Sequence, residues 1–118
     1  MKLLTKAIRA KLERNYANGE HGDGSVDYKT VKPVLKLFNP YGAYTGIFTE
    51  LEPDGDTLYG LADMGFRTPE LGYSSLSEIA DVKIPPFGLG IERDRYFTAD
   101  KSLSEYAAEA RNKGRITA

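Results

Sequence analysis

The chain has 118 residues, of which 41% are hydrophobic, 28% charged and 11% aromatic. This length predicts a single domain over residues 1–118, and this composition excludes a wholly disordered chain. The absence of cysteine and the presence of only one histidine exclude disulfide frameworks, cysteine nucleophiles and thiolate zinc sites. No apolar run is long enough to cross a membrane, and the first residues lack the apolar core of a signal peptide. We therefore expect a soluble, cytoplasmic domain with no membrane partner.

The net charge of −1 hides an uneven distribution of charged residues. Residues 1–36 contain eight basic and four acidic residues, so this part of the chain is basic and the remainder is acidic. A basic segment binds nucleic acid or an acidic partner when its charges cluster on the folded surface. Because no basic run exceeds two residues, ordinary solvation of one helix and one strand is the simpler explanation.

The first predicted element is an amphipathic helix that begins after Thr5 and ends near Ala17. Thr5 is a favourable N-cap, and Gly19 stands where helices commonly stop. The segment at about 18–27 is rich in glycine and predicts a mobile loop. We predict that His21 in this loop is a solvated histidine, because a metal ligand or a catalytic base needs a fixed partner that a mobile loop does not supply. The apolar stripe of the helix consists of Leu4, Ile8, Leu12 and Tyr16.

Three predicted strands follow the loop. Alternation runs from Tyr28 to Phe38, where Pro33 indicates an edge strand or a late strand start. The second and third strands, Tyr44 to Glu52 and Thr57 to Ala62, form a hairpin closed by a Pro-Asp-Gly turn. In the second strand, alternation assigns one face to Tyr44, Gly46 and Phe48 and the other to Thr45, Ile47, Thr49 and Leu51.

The second half of the chain predicts two further strands and two capped helices. We predict a short strand from Glu70 to Tyr73 and a longer strand from Ile91 to Phe97, where the side chains alternate in character. Capping boxes at Ser75 and Ser102 open a short helix to about Asp81 and a longer helix to about residue 113, beyond which we expect fraying. These elements predict an α+β fold: a small, mainly antiparallel sheet with an N-terminal, a short middle and a C-terminal helix.

The candidate binding surface combines aromatic and basic residues around one turn. Tyr41 and Tyr44 flank a glycine beside a strand that carries Lys32 and Lys36. Aromatic side chains next to lysines form protein-binding hot spots or platforms for single-stranded nucleic acid. Packing of an ordinary sheet explains the same residues, so both interpretations stay open.

A second candidate is the pair Arg93 and Arg95. Alternation places both arginines on one face with Ile91 and Phe97. If those apolar residues are buried, the arginines need carboxylate partners. Alternatively the pair forms an anion-binding fork, because guanidinium groups bind phosphate or carboxylate in a bidentate manner.

Catalytic chemistry has little support in the sequence. Asp54, Asp81 and Lys83 match the loose acid, acid-x-lysine pattern of metal-dependent nucleases, in which carboxylates hold a metal ion and lysine orients water. Asp54 belongs to the predicted hairpin turn, and Asp81 follows a helix instead of lying on a central strand. We therefore predict no catalytic residues, no metal site and no cofactor.

Seven segments of the chain form a familiar pattern when taken in order: residues 3–12, 34–40, 58–61, 69–73, 75–78, 91–94 and 96–97. With these segments the chain resembles an uncharacterised bacterial family, the domain of unknown function 2958. The resemblance implies an accessory protein of plasmids, phages and integrative elements, with a role in counter-defence or in DNA transfer. It assigns no reaction and no catalytic residue. We expect a protein that binds a protein partner, with direct nucleic-acid binding as the first alternative and a metal-dependent nuclease as the least favoured one.

Overall fold

A computed structural model describes residues 3–18 and 31–118. The loop predicted at about 18–27, with His21, lies outside this part of the chain except for Asn18. The described residues form three helices and one antiparallel sheet of five strands, which confirms the predicted α+β class and its three helices. The elements are α1 (Lys6–Asn18), β1 (Leu35–Phe38), β2 (Thr45–Leu51), β3 (Thr57–Asp63), β4 (Glu70–Ser75), α2 (Leu76–Ala80), β5 (Glu92–Arg93) and α3 (Leu103–Lys113). The order of the strands in the sheet is β4-β3-β2-β1-β5.

The sheet separates two hydrophobic clusters, because successive side chains of a strand point to opposite faces. On one side, here called the α1 face, Leu35, Leu37 and Phe48 pack with Leu12, the fully buried residue of α1. On the other side, the α3 face, Ile47 and other strand residues pack against α3. Helix α2 adds partly buried side chains to the edge of the α1 face.

A β-bulge interrupts the pairing of β2 with β3 between Phe48 and Glu50. Thr49 is the extra residue, and its carbonyl oxygen accepts a hydrogen bond from Asn15 Nδ2 of α1 (2.9 Å). An extra residue shifts the alternation by one position. Leu51 therefore lies on the α1 face with Phe48, and its predicted placement beside Ile47 is wrong.

Two strands are shorter than predicted. β1 starts at Leu35, the late start that Pro33 allows, since proline has no N–H to donate. β5 contains two residues and not the seven predicted from Ile91 to Phe97. The chain turns at Asp94, whose carboxylate accepts the N–H of Tyr96 (2.9 Å) and whose carbonyl accepts that of Phe97 (3.3 Å).

The predicted caps hold the helices in place. Ser75 and Ser102 accept backbone N–H groups at the starts of α2 and α3, and Gly114 ends α3 with a left-handed φ of 75°. Beyond residue 113, where the sequence predicts fraying, the N–H of Ile116 donates to the buried carboxylate of Asp63 (3.1 Å). Within the described ranges, no helix is both long and apolar enough to cross a membrane.

Candidate binding groove

A groove of about 510 Å³ lies on the α1 face of the sheet, lined by residues of the β1–β2 turn, the β3–β4 loop, β4 and α2. The turn and the loop touch, because a Cβ on Gly65 would lie 2.5 Å from the Cβ of Ala43. Gly65 also has a positive φ of 89°, which side chains rarely allow. Glycine at this position therefore allows the β3–β4 loop to pack directly against the β1–β2 turn, next to the groove.

The groove is apolar and open to solvent. Its inner wall includes Tyr44 and Ile91, which pack on the α1 face. Its rim carries Met64 and Val82, which are 60% and 41% exposed. Large apolar side chains that remain exposed around a concavity are typical of interaction sites.

Glu78 of α2 is the one charged residue among the described residues that line the groove. Its backbone N–H donates to the Ser75 cap (3.3 Å), which fixes its position in the first turn of α2. The groove is thus apolar with one negative charge at its α2 side. This arrangement favours an apolar ligand that carries a positive charge.

Tyr44 contributes a buried hydroxyl group to this site. The hydroxyl has no hydrogen-bond partner among the described residues, and burial raises the pKa of Tyr44 to about 12. The group therefore stays protonated at neutral pH. Sequence reasoning placed Tyr44 on a surface with Tyr41. Tyr41 is 67% exposed and does not line the groove, but its N–H donates to Oδ1 of Asn39, which does (2.8 Å).

The two lysines of the candidate surface do not join these tyrosines. Lys36 alternates with the leucines of β1 and so points to the α3 face, opposite Tyr44. Its Nζ donates to the carbonyl of Ala118 (2.7 Å) and lies 3.5 Å from Asp94 Oδ2. Lys32 is exposed before β1. The four predicted residues thus do not form one continuous surface.

Arg93 and Arg95 do come together, in a basic region on the other side of α2. Both line a cavity of about 230 Å³, and Nη1 of Arg93 donates to the carbonyl of Leu3 (3.1 Å). Arg93 also lines a larger cavity of about 710 Å³ with Lys6 and Arg9, and no acidic residue among the described residues lines it. The structure therefore gives Arg93 a packing role and places it beside other cations.

Sequence reasoning missed Lys6 and Arg9 as neighbours of Arg93. One signal was present: α1 has no acidic residue in its first turn, whereas α2 and α3 have Glu78 and Glu105 there. Cations near a helix N-terminus oppose the helix dipole. Such an arrangement indicates a surface that favours an anionic neighbour.

The residues that match the nuclease pattern are explained by the hairpin turn and by the exposed segment after α2. Both carboxylate oxygens of Asp54 are used in the hairpin turn: Oδ1 accepts the N–H groups of Asp56 and Thr57 (2.9 Å each), and Oδ2 accepts the Thr57 hydroxyl (2.6 Å). These bonds, led by the Thr57 hydroxyl, hold the pKa of Asp54 below its ordinary value. Asp81 and Lys83 are exposed after α2. In residues 3–18 and 31–118, no three acidic or histidine side chains are placed to hold a metal ion.

The groove rim was also missed, because its residues come from separate parts of the chain. Met64 lies in the β3–β4 loop with Phe66, which is 78% exposed. Two large apolar residues in a short loop of otherwise polar character were the available signal. Val82, between α2 and the following prolines, gave no comparable signal.

The fold and the groove define a small α+β domain with an open apolar groove on one face of its sheet. The chain belongs to the family described as protein of unknown function (DUF2958), whose model matches residues 3–117. This match confirms the resemblance found in the sequence. Comparisons with curated proteins and with solved structures gave no match.

Proposed function

We propose that this protein is a non-enzymatic binding protein of a bacterial mobile genetic element, acting in the cytoplasm. It docks a segment of a partner protein in the apolar groove, and through that partner it inhibits a host defence system or supports DNA transfer. The mobile-element context comes from the family resemblance. The observation that carries the binding role is the open groove of about 510 Å³ with Met64 and Val82 exposed at its rim.

The physical support is the apolar surface that the folded chain leaves in water. Burying such surface contributes about 25 cal/mol per Å². The exposed rim residues Met64 and Val82 are part of this surface, and methionine is a residue type enriched in interfaces. Docking a partner segment in the groove removes this surface from water.

The test compares variants that place a charge in the groove with a matched charge elsewhere. Val82→Glu and Met64→Glu alter exposed rim residues, so folding is retained. Tyr96→Glu is the control, since Tyr96 is 87% exposed and lines no part of the groove. Tagged proteins are purified from nuclease-treated bacterial lysate and compared by quantitative mass spectrometry. We expect a protein that wild type and Tyr96→Glu retain and that both groove variants lose; no selectively lost protein contradicts the proposal.

A second candidate function is direct nucleic-acid binding, favoured by the basic cavity of Lys6, Arg9 and Arg93. Release of counterions makes such binding fall steeply as salt rises. Fluorescent single- and double-stranded oligonucleotides should bind at low salt, more weakly with Arg9→Gln, and unchanged with Lys113→Gln at the far end of α3. Absence of binding at low salt removes this candidate.

A further inference from the structure

The carboxylate of Asp63 holds two distant parts of the chain together. Asp63 is the last residue of β3, where it pairs with Thr45 of β2, and it is 4% exposed. Its Oδ1 accepts the N–H of Gly65 in the β3–β4 loop (2.8 Å), and its Oδ2 accepts the N–H of Ile116 (3.1 Å). Both bonds matter, because a buried carboxylate is unfavourable unless hydrogen bonds compensate its charge. Asp63 therefore joins the loop to the segment that follows α3.

The segment that follows α3, residues 114–118 and here called the post-α3 segment, has its own contacts on the α3 face. Its apolar residues pack against the hydrophobic cluster of that face. The carbonyl of Ala118 accepts a hydrogen bond from Lys36 Nζ (2.7 Å), and the hydroxyl of Thr117 donates to the carboxylate of Glu109 in α3. None of these contacts involves the β3–β4 loop, so the docked segment can serve as an anchor for the loop.

The β3–β4 loop, residues 64–69, depends on such an anchor. Residues 64–68 are exposed, so the loop buries little surface of its own. Arg67 has a left-handed φ of 66°, a conformation that costs free energy for a residue with a side chain and persists where surrounding contacts hold it. The Arg67 guanidinium lies against the post-α3 segment, because a Cβ on Gly114 would lie 3.0 Å from Nη2 of Arg67. A second contact thus links the loop to this segment.

The same loop carries part of the groove rim. Met64 lines the groove on the α1 face and directly follows Asp63, whose carboxylate contacts Ile116 on the α3 face. Gly65, the next residue, packs on Ala43 of the β1–β2 turn. The loop is therefore held between that turn and the post-α3 segment. Contacts on one face of the sheet thus help to set the position of Met64 on the other.

The post-α3 segment can open more easily than the sheet. It lies outside the strand ladder and is held by side-chain packing and single hydrogen bonds, whereas β2 and β3 pair along most of their length. Segments held in this way open locally at a lower free energy than the whole fold. Two states follow: a docked segment with a fixed loop, and a released segment with a free loop.

We propose that Asp63 is a positioning residue of the groove and that the post-α3 segment acts through it as a latch. While the segment is docked, the loop holds Met64 at the groove rim; when the segment is released, the rim loses this residue. This inference rests on the proposed function and adds a means of regulating the same site. A ligand that draws the post-α3 segment away from the α3 face weakens partner binding on the α1 face.

The test uses the full chain and separates the hydrogen bond of Ile116 from its packing. Ile116→Pro removes the N–H that Asp63 accepts, and the matched control Ile116→Ala keeps the N–H but removes most of the apolar side chain. Methionine methyl groups are labelled with ¹³C for NMR; the sequence has two methionines, and Met64→Leu identifies the Met64 signal. We expect Ile116→Pro to move this signal toward that of free methionine and Ile116→Ala to leave it near its wild-type position.

The same two variants are compared for retention of the partner, defined as the lysate protein that Val82→Glu loses. Ile116→Pro should reduce retention about tenfold, because burial of a methionine side chain contributes at least this factor to binding; Ile116→Ala should retain the partner as wild type does. Equal effects of the two variants, or a Met64 signal that Ile116→Pro leaves unchanged, overturn the role of Asp63. A shifted signal with wild-type retention overturns control of the groove by the latch.

Hydrogen exchange of wild type tests the latch without any variant. If the loop opens only together with the segment, the amides of Gly65 and Ile116 should have protection factors within about threefold of each other and about tenfold or more below those of the β2–β3 ladder. A larger difference between the two amides, or no gap to the ladder, overturns the latch. The groove function stands in that case if Val82→Glu still loses a partner. If no such partner exists, the proposed function fails, and the exchange data and the Met64 signal still decide the latch.

Discussion

Gly60 of β3 and Gly72 of β4 are partners across the sheet, yet alanine should have opposite effects at the two positions. A Cβ on Gly60 would overlap the carbonyl oxygen of Ile47 and would lie 2.7 Å from the Cα of Phe48. Both are backbone atoms of β2, so relief requires the central strands to separate. A Cβ on Gly72 meets nothing within 4 Å.

The expected magnitudes follow from these contacts. Overpacking costs about 1–3 kcal/mol when side chains adjust, and here backbone must move. We therefore expect Gly60→Ala to lower the free energy of unfolding by about 3 kcal/mol or more, a large part of the about 5–15 kcal/mol of a typical domain. Gly72→Ala should be neutral or stabilise by up to about 1 kcal/mol, because alanine reduces the entropy of the unfolded chain.

Urea unfolding followed by circular dichroism measures both variants against wild type. Gly60→Ala should unfold at a much lower urea concentration, with Gly72→Ala as the matched control for the loss of glycine in a strand. Equal stability of the two variants would contradict the close approach of β2 to β3 beside the bulge.

Three further substitutions test buried or paired polar groups. Tyr44→Phe should stabilise the protein by up to about 1 kcal/mol, because the buried hydroxyl lacks a partner among the described residues. Wild type should lose stability as the pH rises from 10 toward the Tyr44 pKa of about 12, and Tyr44→Phe should reduce this loss. Thermal melts at different pH values measure both effects. Asp56 has a pKa held below its ordinary value by the Ser75 hydroxyl and the Ser77 amide, so its stabilising effect is present above about pH 4 and lost as the pH falls through its folded pKa. Urea midpoints should therefore fall less on acidification for Asp56→Asn than for wild type, and parallel curves would refute this. Asp63→Ala should cost about 2–3 kcal/mol in urea unfolding, because it removes the acceptor of the Gly65 and Ile116 amides; a cost equal to that of exposed Asp81→Ala would contradict this role.

Local features were predictable because their causes lie within a few residues. The Ser102 cap, the Asp54 turn and the Gly114 helix end each depend on contacts between residues three or four positions apart. Such contacts depend on particular residue types at a fixed short spacing, which can be recognised in the sequence. The predicted hairpin and both capped helices follow from them.

Features that depend on distant contacts were not predictable in this way. The bulge at Thr49 is fixed by pairing with β3 and by Asn15, 34 positions away. β5 is short because the chain turns at Asp94, whose N–H donates to the carbonyl of Lys36 in β1. The groove combines Met64, Tyr73 and Val82 from three separate segments, so periodicity within any one segment could not reveal it.

Site-specific photo-crosslinking tests the central claim most directly, because it asks what touches the groove in the cell. The photoreactive amino acid p-benzoylphenylalanine replaces Met64 at the groove rim or, as the control, Tyr96 on the exposed turn after β5. We predict a discrete crosslinked protein adduct from position 64 that is absent from position 96 and is lost when Val82→Glu is added. Equal crosslinking from both positions, or an adduct from position 64 that Val82→Glu leaves unchanged, would contradict a protein-binding groove.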